Sequence, residues 1–354
     1  MKARKITRIL STILSLAICA TIFSSCNADK REEKYKEAYE LLSSRNYEAA
    51  YALFVELGDY KDAAKEAEYF RYIPAGYYVE YVDGEETGTI TYTVTFNEQN
   101  LPATINKKYN DGFEHTCNIT YNAFGLMARR VCSNTDGETT CYVATYDANG
   151  NLLNETLTDV DGSVSKFDYT YNEKNQCVGL ITTNAPDYYL SYESTYDADG
   201  REIRIVCEHE SGVDVEEMTY NAAGDILKDT WLENGEVYST YDYSYDEKGR
   251  LVEMTFTIAG EATSYRKTIS YNEKDQKTTE HAVHTDEYEY TYNYEYDEHG
   301  NAVKTTYDEK GSEGYEYSDV TDTTYKLVYL PYEYTEDEWT DLCDATLCWG
   351  IKHF

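Results

Sequence analysis

The side chains with the most chemistry to offer here are 40 tyrosines and 66 acidic residues. A tyrosine ring stacks on apolar surfaces, including sugar faces, and its hydroxyl makes hydrogen bonds. An aromatic followed by Asn or Asp recurs at Phe96, Tyr121, Tyr146, Tyr171, Tyr196, Tyr220, Tyr245, Tyr271 and Tyr296, at intervals of 24 to 26 residues. Two of the following turns, Asp147-Ala148-Asn149-Gly150 and Asp197-Ala198-Asp199-Gly200, loosely echo calcium loops. They lack the length and distal Glu of an EF-hand, and turn capping explains them without metal. Beyond residue 26 the cysteines are Cys117, Cys132, Cys141, Cys177, Cys207, Cys343 and Cys348, with no Cys-x-x-Cys spacing to support a zinc or thioredoxin-like site. Cys132 and Cys141 lie symmetrically about Asp136-Gly137 and are expected to face each other as a cross-strand disulfide. His281 and His284, three apart on a strand, fall on opposite faces and share no metal. No Ser-His-Asp order, nucleophile elbow or phosphate loop is present, so neither catalysis nor a cofactor is expected.

The elements that position these residues follow from the repeat. Four residues past the aromatic stand Gly125, Gly150, Gly200, Gly224, Gly249 and Gly300, with Asn100, Asn175 and Asp275 in the other slots. These residue types tolerate positive φ, so each unit carries a turn in which the Asx side chain caps local N–H groups. Asp111-Gly112, Asp136-Gly137, Asp161-Gly162, Ser211-Gly212 and Asn234-Gly235 mark a second turn, of the kind found in two-residue hairpins. Two turns per unit leave two strands of about eight residues, each about 26 Å long. Two residues before each aromatic stand Val94, Ile119, Ala144, Tyr169, Met218, Tyr243, Ile269 and Tyr294, with Ser194 the polar exception. One residue before it the chain is Thr or Ser in eight of nine units, a hydroxyl ladder on the opposite face. Leu153, Val178, Ile203, Leu227, Val252 and Val303 are expected to join the apolar face. About eighteen strands exceed what an open sheet carries without curling. The expected fold is therefore mainly β: an elongated, curled antiparallel sheet of tandem 25-residue two-strand repeats, with the aromatics as core anchors. A short α-helical hairpin module precedes it.

The stretches Tyr146-Asp147-Ala148-Asn149-Gly150-Asn151-Leu152, Tyr196-Asp197-Ala198-Asp199-Gly200-Arg201 and Tyr245-Asp246-Glu247-Lys248-Gly249-Arg250-Leu251 resemble the YD-repeat, or RHS-repeat, family. The resemblance covers about residues 96–315. It implies a spiralling β-sheet, with large members enclosing a toxin or sitting on cell surfaces and some associated with carbohydrate. Nine or ten units are too few for a closed capsule. The C-terminal core and aspartyl self-cleavage motif of toxin members are not recognisable here.

Residues 1–26 join a basic start to a short apolar run ending Phe23-Ser24-Ser25-Cys26. The run is short for a membrane span and reads as a secretory signal. Its end resembles a bacterial lipobox, which implies lipid attachment at Cys26 and a location outside the cell membrane. Residues 27–74 have helical spacing and resemble a tetratricopeptide-type hairpin acting as a spacer, with Gly58 capping one helix and Asp59 opening the next. The repeat domain spans 75–325. In the cap, 326–354, Thr335-Glu336-Asp337-Glu338 is a capping-box pattern. A formal charge of −35 repels phosphate backbones, so nucleic acid is excluded as a partner. The expected function is non-catalytic adhesion, or glycan or protein binding, with the membrane reached through the lipid anchor. Tyr188, Tyr189 and Tyr238, off the anchor phase, are the candidate sugar contacts. The alternatives are a structural or immunity-type component related to RHS toxin systems and a polysaccharide-acting enzyme.

Overall fold

The computed structural model describes residues 30–84, 86–185, 189–285, 288–311 and 315–331. Cys26, Tyr188 and the helix expected from Thr335 lie outside them. The chain forms two compact units, one holding residues 30–73 and 326–331, the other residues 74–325.

The first unit carries helices α1 (residues 30–43), α2 (Tyr47–Leu57) and α3 (Ala63–Glu68). Ala38, Ala50, Phe54, Leu57 and Ala63 pack with Phe70 and Leu327. Gly58 ends α2 at φ 56° with its N–H on the Phe54 carbonyl, as expected of a C-cap. Asp59 does not open the next helix. Lys61 takes a positive φ, α3 starts after Asp62, and the Asp59 carboxylate accepts from Arg31 at 2.9 Å.

The second unit is a closed barrel rather than the expected curled sheet. The twenty strands run from β1 (Phe70–Asp83) to β20 (Glu316–Tyr329), whose outer ends, 70–73 and 326–329, belong to the first unit; each pairs antiparallel with its sequence neighbours, and β20 returns to β1. At the seam the Gly84 N–H donates to the Glu316 carbonyl at 3.2 Å, and the Thr324 hydroxyl donates to the Gly76 carbonyl at 2.9 Å. The nine repeats supply eighteen strands, from β2 (Glu86–Phe96) to β19 (Ala302–Lys310). β1 and β20, 14 residues each and outside the periodicity, supply the two that close the ring. Closure removes the unpaired N–H and C=O rows that an open sheet would expose.

Each turn is built as its residue types require. Asp147 Oδ1 accepts the N–H groups of Asn149 and Asn151, and Asp246 Oδ1 those of Lys248 and Arg250. In the later units the residue four beyond the Asx adds a side chain of matched chemistry, whereas in the first two Leu101 and Leu126 give the cap only their N–H groups. Asp197 and Asp246 receive Arg201 and Arg250, while Asn172 and Asn272 donate to Gln176 and Gln276. The fourth residue past each aromatic has φ between 60° and 101° in all nine units.

Every repeat also carries a β-bulge beside its aromatic, at Thr120/Tyr121, Thr145/Tyr146, Ser244/Tyr245 and the six equivalent places. Tyr146 pairs with Leu152 but Thr145 with Asn154, leaving Leu153 as the extra residue. The bulge re-aims that residue. Leu153 and Leu227 are therefore 40% and 42% exposed, not on the apolar face. The aromatic's hydroxyl reaches back to the preceding repeat's bulge: Tyr121 donates to the Pro102 carbonyl, Tyr146 to Met127, Tyr245 to Ile226 and Tyr271 to Leu251, each at 2.8 Å. The anchors are thus half-buried staples between repeats rather than sealed core.

The two faces differ along the whole ring. Thr95, Thr120, Thr145, Thr170, Thr195, Thr219, Ser244, Ser270 and Glu295 are all exposed. The residues one place earlier are all half-buried or buried. A closed sheet crowds the side chains on its inner surface, so the tyrosine-rich face is the enclosed one. Twenty strands about 4.8 Å apart give a round ring about 30 Å across, too wide for side chains to fill. Among the described tyrosines only Tyr77 and Tyr92 are sealed, at 5% and 6% exposure.

Candidate ligand-binding face

Strand register assembles the inner face from residues far apart in sequence. On β14 (Glu236–Tyr245) and its successors, Tyr241 pairs with Phe256, Phe256 with Tyr265, Tyr265 with His284, Tyr292 with Tyr307 and Tyr307 with Asp319. The rings meet edge-on or tilted: Tyr241–Phe256 4.7 Å, Tyr265–His284 4.5 Å, Tyr290–Tyr292 5.8 Å, Tyr292–Tyr307 4.5 Å and Tyr307–Tyr317 5.9 Å between centroids. The Tyr265 and Tyr290 hydroxyls lie 2.7 Å apart, and Tyr294 donates to Glu280 at 3.2 Å. These rings are half-buried, so the row keeps accessible aromatic surface beside hydroxyl groups. Burial first, then the neighbouring Tyr290, pushes the Tyr292 phenol up to about 12, so it remains a donor across the physiological range.

Carboxylates punctuate the row in three environments. Glu155 accepts hydrogen bonds from Tyr142 and Tyr169. Glu280 is 9% exposed, and burial alone would raise its carboxyl. Lys277, Lys267 and the Tyr294 hydroxyl together outweigh that and hold it below the usual range. Glu216, on β12 (Gly212–Tyr220), and Asp229, on β13 (Ile226–Glu233), are neighbouring carboxyls on this face, and Asp229 Oδ1 is buried without a hydrogen-bond partner. Burial, then the charge of Asp229, pushes Glu216 up to about 7, and Asp229 is raised by burial. Two neighbouring carboxyls resist ionising together.

The candidates read from sequence fall as follows. Tyr189 packs against His209 and Trp231, at 5.9 and 6.3 Å between centroids, beside the inner face of β13. Tyr238 exposes 44% of its surface at the start of β14. His281 and His284 do lie on opposite faces: His281 meets the Thr291 hydroxyl at 3.0 Å, while His284 joins the inner aromatic row. In the acidic turns both carboxylate oxygens are engaged. Asp197 accepts Arg201 Nε at 2.7 Å on Oδ2, and Asp147 accepts Asn151 Nδ2 at 2.8 Å, so capping accounts for their oxygens without calcium. The alternation of Tyr288, Tyr290, Tyr292 and Tyr294 is open in the sequence as the aromatic face of one strand. Its extension to Tyr241 and Tyr317 required the strand register.

The Cys132–Cys141 pairing is overturned. Cys132, on β5 (Met127–Asn134), is bonded to Cys117, on β4 (Glu114–Tyr121), and Cys141 is a free thiol. The turn after β5 is wider than a two-residue hairpin: the Asn134 N–H donates to the Glu138 carbonyl and Gly137 has φ 82°. Its centre falls on Asp136, which pairs Cys132 with Thr140 and Val131 with Cys141. A one-residue slip moves a side chain to the opposite face, and Cys141 accordingly lies outside.

No protein-family model matches the chain, and no curated protein matches it. Among solved structures, a porin-like protein from Bacteroides uniformis is 12% identical with a TM-score of 0.34, covering 72% of this chain and 96% of that one. A porin-like protein from Bacteroides vulgatus is 11% identical with a TM-score of 0.26, covering 72% and 98%. TcdB2-TccC3 without its hypervariable C-terminal region is 11% identical with a TM-score of 0.29, over 71% of this chain and 18% of that one. The chain thus spans less than a fifth of the TcdB2-TccC3 chain it is similar to.

Proposed function

We propose that the chain is an exported, lipid-anchored surface protein of YD-repeat type that binds a glycan, without catalysis, on the tyrosine-lined inner face of its barrel. The observation that carries this is the contiguous row from Tyr241 to Tyr317, half-exposed and interleaved with hydroxyl and carboxylate groups. Aromatic faces with adjacent hydrogen-bonding groups suit the mixed apolar and polar surface of a sugar. The outer surface bears Lys228, Asp242, Glu253, Arg266 and Asp308 among threonines, and the inner one bears Glu155, Glu216 and Asp229. Apolar residues such as Val143, Ile181, Val213 and Val283 are exposed as well, and the charges interrupt the apolar band that a membrane-spanning barrel turns to lipid. The membrane is reached through the lipid at Cys26.

The test is a glycan array followed by calorimetry on the hits. Tyr292→Ala and Tyr307→Ala should each weaken binding at least about tenfold, the scale of one lost aromatic contact at a binding site. No hit on the array, or hits unaffected by either substitution, would sink the proposal. Loss of membrane partitioning in Cys26→Ala tests the anchor separately.

A further inference from the structure

Strand pairing also brings together three side chains that their spacing keeps apart. Cys117 and Cys132 are direct cross-strand partners with Cα atoms 4.0 Å apart. His115 stands two residues before Cys117 and therefore on the same face, with Nδ1 3.8 Å from Cys117 Sγ. One ligand atom from each of the three lies within 4.8 Å of the others. Ile105, Ile119 and Met127 wall the cluster. The nearby cations are directed at rings: Lys107 Nζ is 4.7 Å from the Tyr109 centroid, and the Arg130 guanidinium 5.8 Å from that of Tyr142.

We propose that His115, Cys117 and Cys132 form a redox-gated site for a thiophilic divalent cation of the zinc and cadmium class, closed as the disulfide and opened by reduction. Two equivalents of a small thiol supply two electrons and two protons to the Cys117–Cys132 bond, giving two cysteine thiols and one small-molecule disulfide. On metal binding both thiols release their protons to solvent, and two thiolates balance the 2+ charge. Tetrahedral bonds of about 2.3 Å to sulfur place the two sulfurs roughly 3.7 Å apart. Side-chain rotation from adjacent paired positions covers that distance without moving the strands. The imidazole supplies the third ligand, and the fourth position is left for water. The two cysteines are fifteen residues apart, so sequence spacing hides the site.

Cd(II) is the probe, because its thiolate complexes absorb in the ultraviolet. The full chain, freed of metal and reduced with a phosphine, should develop the charge-transfer band with one tight equivalent, and the oxidised chain should not. Cys132→Ser should remove that equivalent, with circular dichroism reporting whether the variant folds. His115→Gln keeps both cysteines and should weaken Cd(II) binding about 10- to 100-fold, at least the loss seen when a supporting residue is removed. Cys141, Cys177, Cys207, Cys343 and Cys348 are retained in every variant, so any band they give is common to all. Equal affinity in His115→Gln, or equal binding by the oxidised chain, would overturn the proposal.

Discussion

Two patches of the same inner face share one frame and are filled differently. Around β3 (Pro102–Tyr109), β4 and β5, Ile105, Cys117, Ile119 and Cys132 are 0%, 4%, 4% and 8% exposed and form a closed aliphatic cluster with a covalent cross-link. From β14 to β20 the same face carries tyrosines that touch edge to face and stay half open, with Ile269 and Ala282 as sealed exceptions. Turns and bulges are the same in both patches. The hydrogen-bonded frame, an Asx cap in each repeat with tyrosine staples between repeats, therefore does not depend on a sealed core at every position. That leaves the stretch from β14 to β20 free to present rings to a ligand.

The comparison breaks most visibly on truncation. Ile105 has no exposed surface, so Ile105→Ala loses the whole transfer term and leaves a cavity, at a cost of about 2–5 kcal/mol. Tyr292 is larger but has less of its ring out of water, so Tyr292→Ala should cost no more than about half as much while removing ligand binding. Urea unfolding of the two variants with unchanged m-values is the measurement. Equal losses would mean that the tyrosine row is packed core after all.

A smaller effect separates staples from row tyrosines. The Tyr121 hydroxyl satisfies the Pro102 carbonyl at a bulge, so Tyr121→Phe should cost about 1 kcal/mol. Tyr292 makes ring contacts and its neighbours supply the hydrogen bonds to Glu280 and between Tyr265 and Tyr290. Tyr292→Phe should therefore leave the unfolding midpoint nearly unmoved. If both substitutions cost the same, the staple is not what joins the repeats.

What the sequence discloses is what repeats. The 25-residue period, the positive-φ slot and the Asx cap are local rules obeyed nine times, and each can be read from residue type alone. The bulge at Thr145/Tyr146 is hidden because nothing in the letters marks Leu153 as extra. The disulfide partner of Cys132 is hidden for the same reason: one more residue in the Asn134–Glu138 turn shifts the register and exchanges faces. Closure is the least legible feature. It depends on β1 and β20, whose sequences lack the repeat and whose meeting is a long-range pairing. The complementarity between Asp246 and Arg250, or Asn272 and Gln276, was present in the letters but became meaningful only once the turn geometry showed the two side chains in contact.

The smallest effect concerns charge on that shared face, where two carboxyls should respond oppositely to pH. Glu280 is held low by Lys277, Lys267 and Tyr294 against the cost of burial. Its contribution to stability is present above its ordinary value of 4.5 and is lost as pH falls through the lowered folded value. For Glu216, burial and then the charge of Asp229 raise the folded value from 4.5 to about 7, with none of the lysines that hold Glu280 low. The folded state then binds more protons than the unfolded one between those values, and stability falls as pH rises from 4.5 to about 7. Each effect concerns a single carboxyl, so the shifts in unfolding midpoint will be modest. Thermal unfolding followed across that range should show Glu216→Gln flattening the decline on the neutral side, and Glu280→Gln weakening the dependence on the acid side. Slopes of the same sign for the two sites would mean that the lysines, present beside one carboxyl and missing beside the other, are not what distinguishes them.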